Sequence, residues 1–121
     1  MSDPMSDNYT RAFLYGRVID GDTIADVRVD LGYHTQAAGI TYRIARVNTP
    51  ERHKPTLEAG NQAKEYTITW LLDHEQHGGL YATTTRTDDF GRYLAEIECG
   101  AGHNLSDDLL TSGNAVPYKA K

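Results

Sequence analysis

The feature that most constrains the fold is a change in the spacing of apolar residues partway along the chain. On either side of the middle of the sequence, apolar and β-branched residues come in short runs with partial alternation, which is typical of strands. Between these runs lies the segment from about Glu58 to His77, whose apolar residues recur at helical spacing: Ala59, Ala63, Tyr66 and Trp70. The sequence therefore predicts a set of strands interrupted by one main helix.

Five strands are predicted, three before the helix at 11–20, 23–31 and 40–47, and two after it at 80–86 and 92–98. Asp20-Gly21 predicts a tight turn between the first two strands, because both residue types tolerate positive φ. Residues 32–39 are expected to form a loop. This order predicts a mainly β fold with helices (α+β), namely a five-stranded Greek-key OB-fold barrel whose main helix plugs one end.

A second, short C-terminal helix is predicted from Leu105 to Ser112. Asn104 or Ser106 would provide its N-terminal cap, and Gly113 would stop it. Cys99 is the single cysteine, so it cannot form an intramolecular disulfide and is expected to be a small core residue on a strand.

The length of 121 residues fits one domain, which we expect over residues 11–121 after a flexible N-terminal segment at 1–10. No stretch approaches the roughly 18 apolar residues of a membrane helix, so no membrane partner is expected. The first ten residues are polar and acidic, unlike a signal peptide, and predict a cytoplasmic protein.

The net charge of −5 argues against a protein whose whole surface binds nucleic acid, because phosphate binding draws on a broad basic face. Any phosphate site must therefore be local. Half of the twelve lysines and arginines lie in or beside two segments of the chain: Arg43, Arg46, Arg52, Lys54, Arg86 and Arg92. That concentration permits a positive cleft on an acidic body.

Three separated segments carry the polar residues of interest, at Val18–Thr23, Tyr42–Glu51 and Arg86–Arg92. Taken singly, they read as a hairpin turn, a loop that leaves a strand, and solvated surface arginines. Taken together, in this order and with this internal spacing, they resemble the staphylococcal nuclease (thermonuclease) family, with an SNase-like OB-fold domain. The match runs from about Val18 to Val116.

The resemblance implies a metal site for Ca²⁺, with Mg²⁺ or Mn²⁺ as alternatives. Asp22 matches the family's direct calcium ligand, Asp20 its outer-shell acid, and Thr49 the residue that offers a backbone carbonyl. These are oxygen ligands of the kind that calcium prefers. Asn48 stands where the family has a second ligating aspartate, and because its amide carries no charge we predict weaker calcium binding.

The resemblance also implies a hydrolase, a metal-dependent endonuclease that cleaves DNA or RNA with low sequence specificity. Arg43 and Arg92 match the two arginines that bind the scissile phosphate, and Glu51 matches the acid that orients or deprotonates the attacking water. Guanidinium groups and a divalent cation stabilise the charge that builds on a phosphodiester during attack. Tyr118 lies about one position from a family tyrosine at the nucleotide pocket.

Two further positions depart from the family. Asp89 and Phe90 replace a lysine and a tyrosine that contact the substrate phosphate, so substrate affinity is expected to be modest, whereas Asp88 is expected to shape the turn that presents Arg92. The alternative to an enzyme is a catalytically weak or inactive OB module that binds nucleic acid or a protein partner. Asn48 supports that alternative, and the retained arginines and acids oppose it.

The remaining expectations concern residues and properties outside these motifs. His74 and His77 lie near the end of the main helix, where histidine is commonly a favourable partner of the helix dipole, and His103 is assigned no role. The protein is expected to be a monomer. A nuclease without a signal peptide would fit a viral or mobile-element source.

Overall fold

Most strands of the chain form one sheet. In the computed structural model, which describes residues 9–51 and 55–118, its strands are β1 (Tyr9–Leu14), β2 (Arg17–Asp20), β3 (Thr23–Gly32), β4 (Thr35–Ile44), β6 (Leu80–Thr87) and β7 (Tyr93–Cys99). A second, two-stranded sheet pairs β5 (Val47–Asn48) with β8 (Val116–Pro117). The helices are α1 (Leu57–His74) and α2 (Leu105–Ser112). No helix among the described residues has both the length and the apolar character needed to cross a membrane.

The main sheet closes on itself. Its order is β1-β6-β7-β4-β3-β2, and β1 also pairs with β3. Phe13 of β1 and Arg17 of β2 lie opposite Val29 and Ala25 of the same strand β3, so β1 and β2 are two halves of one bent strand. Counted in this way the barrel has five strands, with β4 and β7 parallel, and the predicted mainly β, OB-like fold with helices is confirmed.

The hairpin between β3 and β4 differs from the prediction. The loop expected at residues 32–39 is wrong, because β4 begins at Thr35 and pairs it with Gly32. Tyr33 and His34 form a two-residue turn with φ of 54° and 61°. Positive φ at such a turn usually indicates glycine or asparagine, and neither turn residue is one, so the sequence did not predict it. The first residues of β4 are small or polar and mostly exposed, and therefore lack the apolar alternation of a half-buried strand.

The third predicted strand is also shorter than expected. It was predicted to run to residue 47, but β4 ends at Ile44, and Arg46 takes a left-handed φ of 69°. That conformation breaks the strand and turns the chain into the short strand β5. The turn brings Asn48 and Thr49 back to the start of β3 and the end of β4, where they contact Arg43 and Asp22.

Helix α1 confirms the main predicted helix, although it ends at His74, three residues before the predicted end at His77. Its buried face carries Gly60, Ala63, Thr67, Trp70 and Leu71. The prediction that Ala59 belongs to this face is wrong, since Ala59 is exposed. Thr67 faces inward because it packs against Gly21 in the turn between β2 and β3, and Gly60 does so because it packs against the backbone of Glu51.

Helix α2 has the predicted bounds. The side chain of Asn104 accepts a hydrogen bond from the N–H of Asp107 and caps it, and Gly113 ends it with a φ of 81°. Ser106, the other cap candidate, is buried and donates to the carbonyl of Ala45. Cys99 is buried on β7, as expected.

The core lies between the barrel and the two helices. Its fully buried side chains include Ile24, Val27, Tyr42, Ile44, Leu71, Ile97, Leu105 and Leu109. Strand β1 begins at Tyr9, inside the segment predicted to be flexible, while residues 1–8 lie outside the described part of the chain. The division into a segment at 1–10 and a domain at 11–121 stays a prediction.

Candidate active site

The turn between β2 and β3 is fixed by close packing at Gly21. A Cβ atom there would lie 2.8 Å from Cγ2 of Thr49 and 2.9 Å from Cβ of Ala63, so only glycine allows this approach. The hydroxyl of Thr67 donates a 2.6 Å hydrogen bond to the carbonyl of Gly21. Helix α1 therefore holds the turn that presents Asp22.

The carboxylate of Asp22 is anchored from two sides. Its Oδ1 accepts a 3.2 Å hydrogen bond from the hydroxyl of Thr23, and its Oδ2 accepts a 3.0 Å hydrogen bond from the N–H of Thr49. Its own carbonyl accepts from the N–H of Ile44 at 2.8 Å. The side chain is only 13% exposed, so the carboxylate keeps a defined orientation beside the ends of β4 and β5.

Arg43, near the end of β4, faces the same carboxylate. Its Nη2 lies 3.4 Å from Oδ2 of Asp22 and donates a 2.6 Å hydrogen bond to Oδ1 of Asn48. Its Nη1 donates a 2.8 Å hydrogen bond to the carbonyl of Ile44. With 11% of the side chain exposed, the guanidinium keeps a fixed orientation.

Tyr118 lies at the same place, although it is distant in sequence. Its ring centroid is 5.7 Å from Cζ of Arg43, and the ring is exposed. Its N–H donates to the carbonyl of Arg46, just after Val116 of β8 pairs with Asn48. The structure thus brings together five of the residues singled out in the sequence: Asp22, Arg43, Asn48, Thr49 and Tyr118.

Arg92 is presented by a tight turn that Asp88 organises, as predicted. Oδ1 of Asp88 accepts 2.9 Å hydrogen bonds from the N–H groups of Phe90 and Arg92, and Oδ2 accepts a 2.7 Å hydrogen bond from Nε of Arg92. Desolvation by itself would raise the pKa of Asp88, but these hydrogen bonds and the charge of Arg92 outweigh it, and the pKa lies below its ordinary value. Asp89 and Phe90 are both exposed at the tip.

The turn of Arg92 leads directly into β7, which runs parallel to β4 and places Leu94 opposite Arg43. Cζ of Arg92 lies 5.2 Å from the ring centroid of Phe90. Within the described ranges 9–51 and 55–118, no hydrogen bond or ion pair joins Arg92 to Arg43 or to Asp22. The two arginines therefore stand at the ends of neighbouring strands, each held by its own acceptors.

Glu51 follows β5 and is exposed. Its carbonyl accepts a 2.7 Å hydrogen bond from the hydroxyl of Thr56. Helix α1 approaches this backbone so closely that a Cβ atom at Gly60 would lie 2.5 Å from the carbonyl oxygen of Glu51. The backbone at Glu51 is thus positioned by the first turn of α1, and the role of its carboxylate stays a prediction, as does the outer-shell role of the half-buried Asp20.

One of the six basic residues expected to form a positive cleft is paired with acidic residues instead. Arg46 donates to both carboxylate oxygens of Glu96, at 2.6 and 2.9 Å, and to Asp107 at 3.0 Å. The hydrogen bond to Glu96 is the main cause that raises the pKa of Arg46 above its ordinary value. Arg46 therefore joins the β4–β5 turn to β7 and α2 through two ion pairs.

Of the six lysines and arginines singled out in the sequence, Arg52 and Lys54 lie outside the described residues. Arg86 belongs to β6. Arg43 and Arg92 are thus the two of these basic residues whose described side chains lie at neighbouring strands, β4 and β7.

The oxygen atoms around Asp22 suit a hard cation such as Ca²⁺. The structure places the carboxylate of Asp22 and the amide oxygen of Asn48 together at Nη2 of Arg43, whereas the contributions of the Thr49 carbonyl and of Asp20 stay predictions. The donor set fits the metal that the sequence implies. Nη2 of Arg43 already contacts the oxygens of both Asn48 and Asp22, so a cation bound to these oxygens would compete with the arginine.

Sequence comparison agrees with this geometry. A search of curated proteins gave no match to the chain. A family model described as staphylococcal nuclease homologue matches residues 41–121, a range that contains Arg43, Glu51 and Arg92 and begins after the turn that carries Asp22. The match covers more than half of the chain, which therefore belongs to the staphylococcal nuclease homologue family.

Proposed function

We propose that the protein is a metal-dependent nuclease that hydrolyses phosphodiester bonds of DNA or RNA, with Ca²⁺ as its metal. One observation carries the proposal. A guanidinium group suited to a phosphate and oxygen atoms suited to a hard cation lie in contact, through Nη2 of Arg43, Oδ2 of Asp22 and Oδ1 of Asn48. A phosphodiester between them would meet both kinds of charge stabilisation at once.

Arg43 is the residue best prepared to bind the scissile phosphate. Its contacts to Ile44, Asn48 and Asp22 fix the plane of the guanidinium, so little rotamer entropy is lost when a phosphate binds. A phosphate oxygen would replace Asn48 as the acceptor for Nη2. Asp22, Asn48 and Thr49 would hold the cation, which when bound supplies Lewis-acid stabilisation of the phosphate charge.

Arg92 and Glu51 complete the proposed reaction. Arg92 would stabilise the charge that develops on the equatorial oxygens, from a turn that Asp88 keeps in shape. Glu51 would accept a proton from the attacking water. The water oxygen bonds to phosphorus, the bond from phosphorus to the 5′ oxygen breaks, and that oxygen leaves as a hydroxyl after gaining a proton, so that the other product ends in a 3′-phosphate.

Two exposed aromatic rings support low sequence specificity. Tyr118 lies against Arg43 and Phe90 lies against Arg92, so each proposed phosphate ligand has a ring at its side. Stacking of bases on aromatic rings tolerates any base, since every base has a π face. The barrel would thus hold its substrate by phosphate charge and stacking rather than by reading base edges.

The proposal is tested by incubating the protein with plasmid DNA, single-stranded DNA and RNA in Ca²⁺, Mg²⁺, Mn²⁺ or chelator. Arg43→Ala and Glu51→Ala serve as site variants, and Arg28→Ala, an exposed arginine on β3, serves as the control. Cleavage that needs metal and is lost only in the site variants supports the nuclease. Binding without cleavage under every condition supports instead the non-catalytic OB module, which the missing charge at Asn48 favours.

A further inference from the structure

A second group of metal-ligating side chains lies outside the site described above. His74 comes from the last turn of α1, Asp108 from the first turn of α2, and His103 from the connection between β7 and α2. One ligand atom from each of these residues lies within 4.8 Å of the other two. The family resemblance gives these residues no role, and the proposed phosphodiester chemistry does not use them.

His74 is oriented as a metal ligand. Its Nδ1 lies 2.8 Å from the carbonyl oxygen of Trp70. Because a carbonyl can only accept, Nδ1 carries the hydrogen, and the lone pair is left on Nε2. The imidazole is half-buried and stacks on the indole of Trp70 at 4.1 Å with 13° between the planes. A hydrogen bond from the distal nitrogen to a backbone carbonyl is the usual support of a metal-bound histidine.

Asp108 is held by the same tryptophan. Its Oδ2 accepts a 2.8 Å hydrogen bond from the indole Nε1 of Trp70, which leaves Oδ1 for a cation. Its backbone is fixed in α2 through a 3.0 Å hydrogen bond from its N–H to the carbonyl of Asn104, and its carbonyl accepts from the hydroxyl of Tyr66 at 3.3 Å. Trp70 therefore orients two ligands, one with its carbonyl and one with its ring.

His103 supplies the adjustable third ligand. Its carbonyl accepts a 3.0 Å hydrogen bond from the N–H of Cys99, so its backbone is fixed, whereas its side chain is exposed. The centroids of the His103 and His74 rings are 5.2 Å apart. Ligands of a tetrahedral zinc with bonds of about 2.0–2.1 Å lie about 3.4 Å from one another, a contraction that rotation of an exposed imidazole can provide.

We propose that His74, His103 and Asp108 bind a divalent transition metal ion, Zn²⁺, with water as the fourth ligand. Two imidazole nitrogens and one carboxylate oxygen match the ligand preference of zinc and differ from the all-oxygen set that calcium prefers. The ion would tie the end of α1 to the start of α2. It is distinct in ligands and in metal from the site around Asp22.

Trp70 makes the proposal measurable, because it is the single tryptophan of the chain and touches two of the three ligands. Chelator-treated, untagged full-length protein is titrated with ZnCl₂ while tryptophan emission and thermal unfolding are followed. The expected result is an emission change that saturates at one equivalent, together with a rise in Tm. CaCl₂ at the same concentration is expected to leave the emission unchanged.

The variants His103→Gln and Asp108→Asn assign the signal to this site. Each is expected to weaken Zn²⁺ binding at least tenfold, and His103 is exposed, so that its replacement leaves the fold intact by circular dichroism. The control is His34→Asn, an exposed histidine in the β3–β4 turn, which is expected to bind like the parent. The proposal is overturned if excess Zn²⁺ changes neither emission nor Tm, or if His103→Gln binds as tightly as the parent protein. None of these measurements depends on nuclease activity, so the zinc site and the proposed function are tested separately.

Discussion

Oδ1 of Asn48 accepts a 2.6 Å hydrogen bond from Nη2 of Arg43. The residue that departs from the family's pair of calcium-ligating aspartates is thus also the acceptor that orients the proposed phosphate ligand. Arg43 already forms an ion pair with Asp22, and a carboxylate at position 48 would form a second one, which the amide does not. Asn48 thus orients Arg43 without adding a negative charge beside it.

We predict that Asn48→Asp binds Ca²⁺ more tightly, on the order of tenfold, because affinity in oxygen sites rises with the number of charged ligands. Isothermal titration calorimetry measures the change. Gln36→Glu adds the same charge at an exposed position on β4 and should leave the affinity unaltered. Equal calcium affinity in Asn48→Asp and in the parent protein would contradict this prediction.

Arg43→Lys keeps the charge of Arg43 and removes the planar fork that now spans Ile44 and Asn48. We expect the rate of cleavage to fall by about 100-fold or more, since a lysine cannot reproduce two parallel donors aimed at the phosphate. Single-turnover kinetics separate this loss from weaker binding. Arg28→Lys on β3 is the matched control and should retain the parent rate. An unchanged rate in Arg43→Lys would show that the planar guanidinium of Arg43 is not needed for cleavage.

The lowered pKa of Asp88 predicts how the stability of the protein depends on pH. Its pKa lies below the ordinary value of 3.8, so its charged form is favoured in the folded protein. The stability it contributes is fully present above about pH 3.8 and is lost as the pH falls through the lowered pKa. Arg92→Gln should raise the pKa of Asp88, because two hydrogen bonds and a charge are weakened or lost while the desolvation remains.

Carboxyl carbon shifts followed by NMR during acid titration measure that pKa in both proteins. Arg17→Gln, which breaks the pair of Arg17 with Asp26, is the control and should leave Asp88 unchanged. If the Asp88 midpoint is the same with and without the Arg92 guanidinium, that guanidinium does not lower the pKa of Asp88, and the ion pair between them is not what positions Arg92.

The sequence was sufficient to predict the barrel and much of the Asp22 cluster. Short alternating runs predicted the strands, and the resemblance of the three motifs to the nuclease family implied that Asp22, Arg43 and Asn48 lie together. In the structure, β3 and β4 pair so that Thr23 lies opposite Arg43, and Arg43 contacts both Asp22 and Asn48. The main helix was also predictable, because apolar residues recur at helical spacing over many residues.

Other features depend on tertiary contacts that local pattern does not encode. The partners of Arg46 lie 50 and 61 residues further along the chain. The sequence near Arg46 therefore does not show that Arg46 pairs with Glu96 and Asp107. The turn at Tyr33 and His34 has positive φ without glycine. The helix face was displaced from Ala59 to Gly60 because the backbone of Glu51 packs there, a contact that a hydrophobicity pattern cannot reveal.

That contact gives the last prediction, Gly60→Ala. In an ordinary helix alanine is about 1 kcal/mol more favourable than glycine, but here the new Cβ would lie 2.5 Å from the carbonyl of Glu51. We expect a lower free energy of unfolding in urea and a reduced cleavage rate, because Glu51 must move away from α1. Ala59→Gly, at the exposed neighbouring position, costs helix stability without touching Glu51 and should keep its activity. A Gly60→Ala protein that is more stable and fully active would show that α1 does not position Glu51.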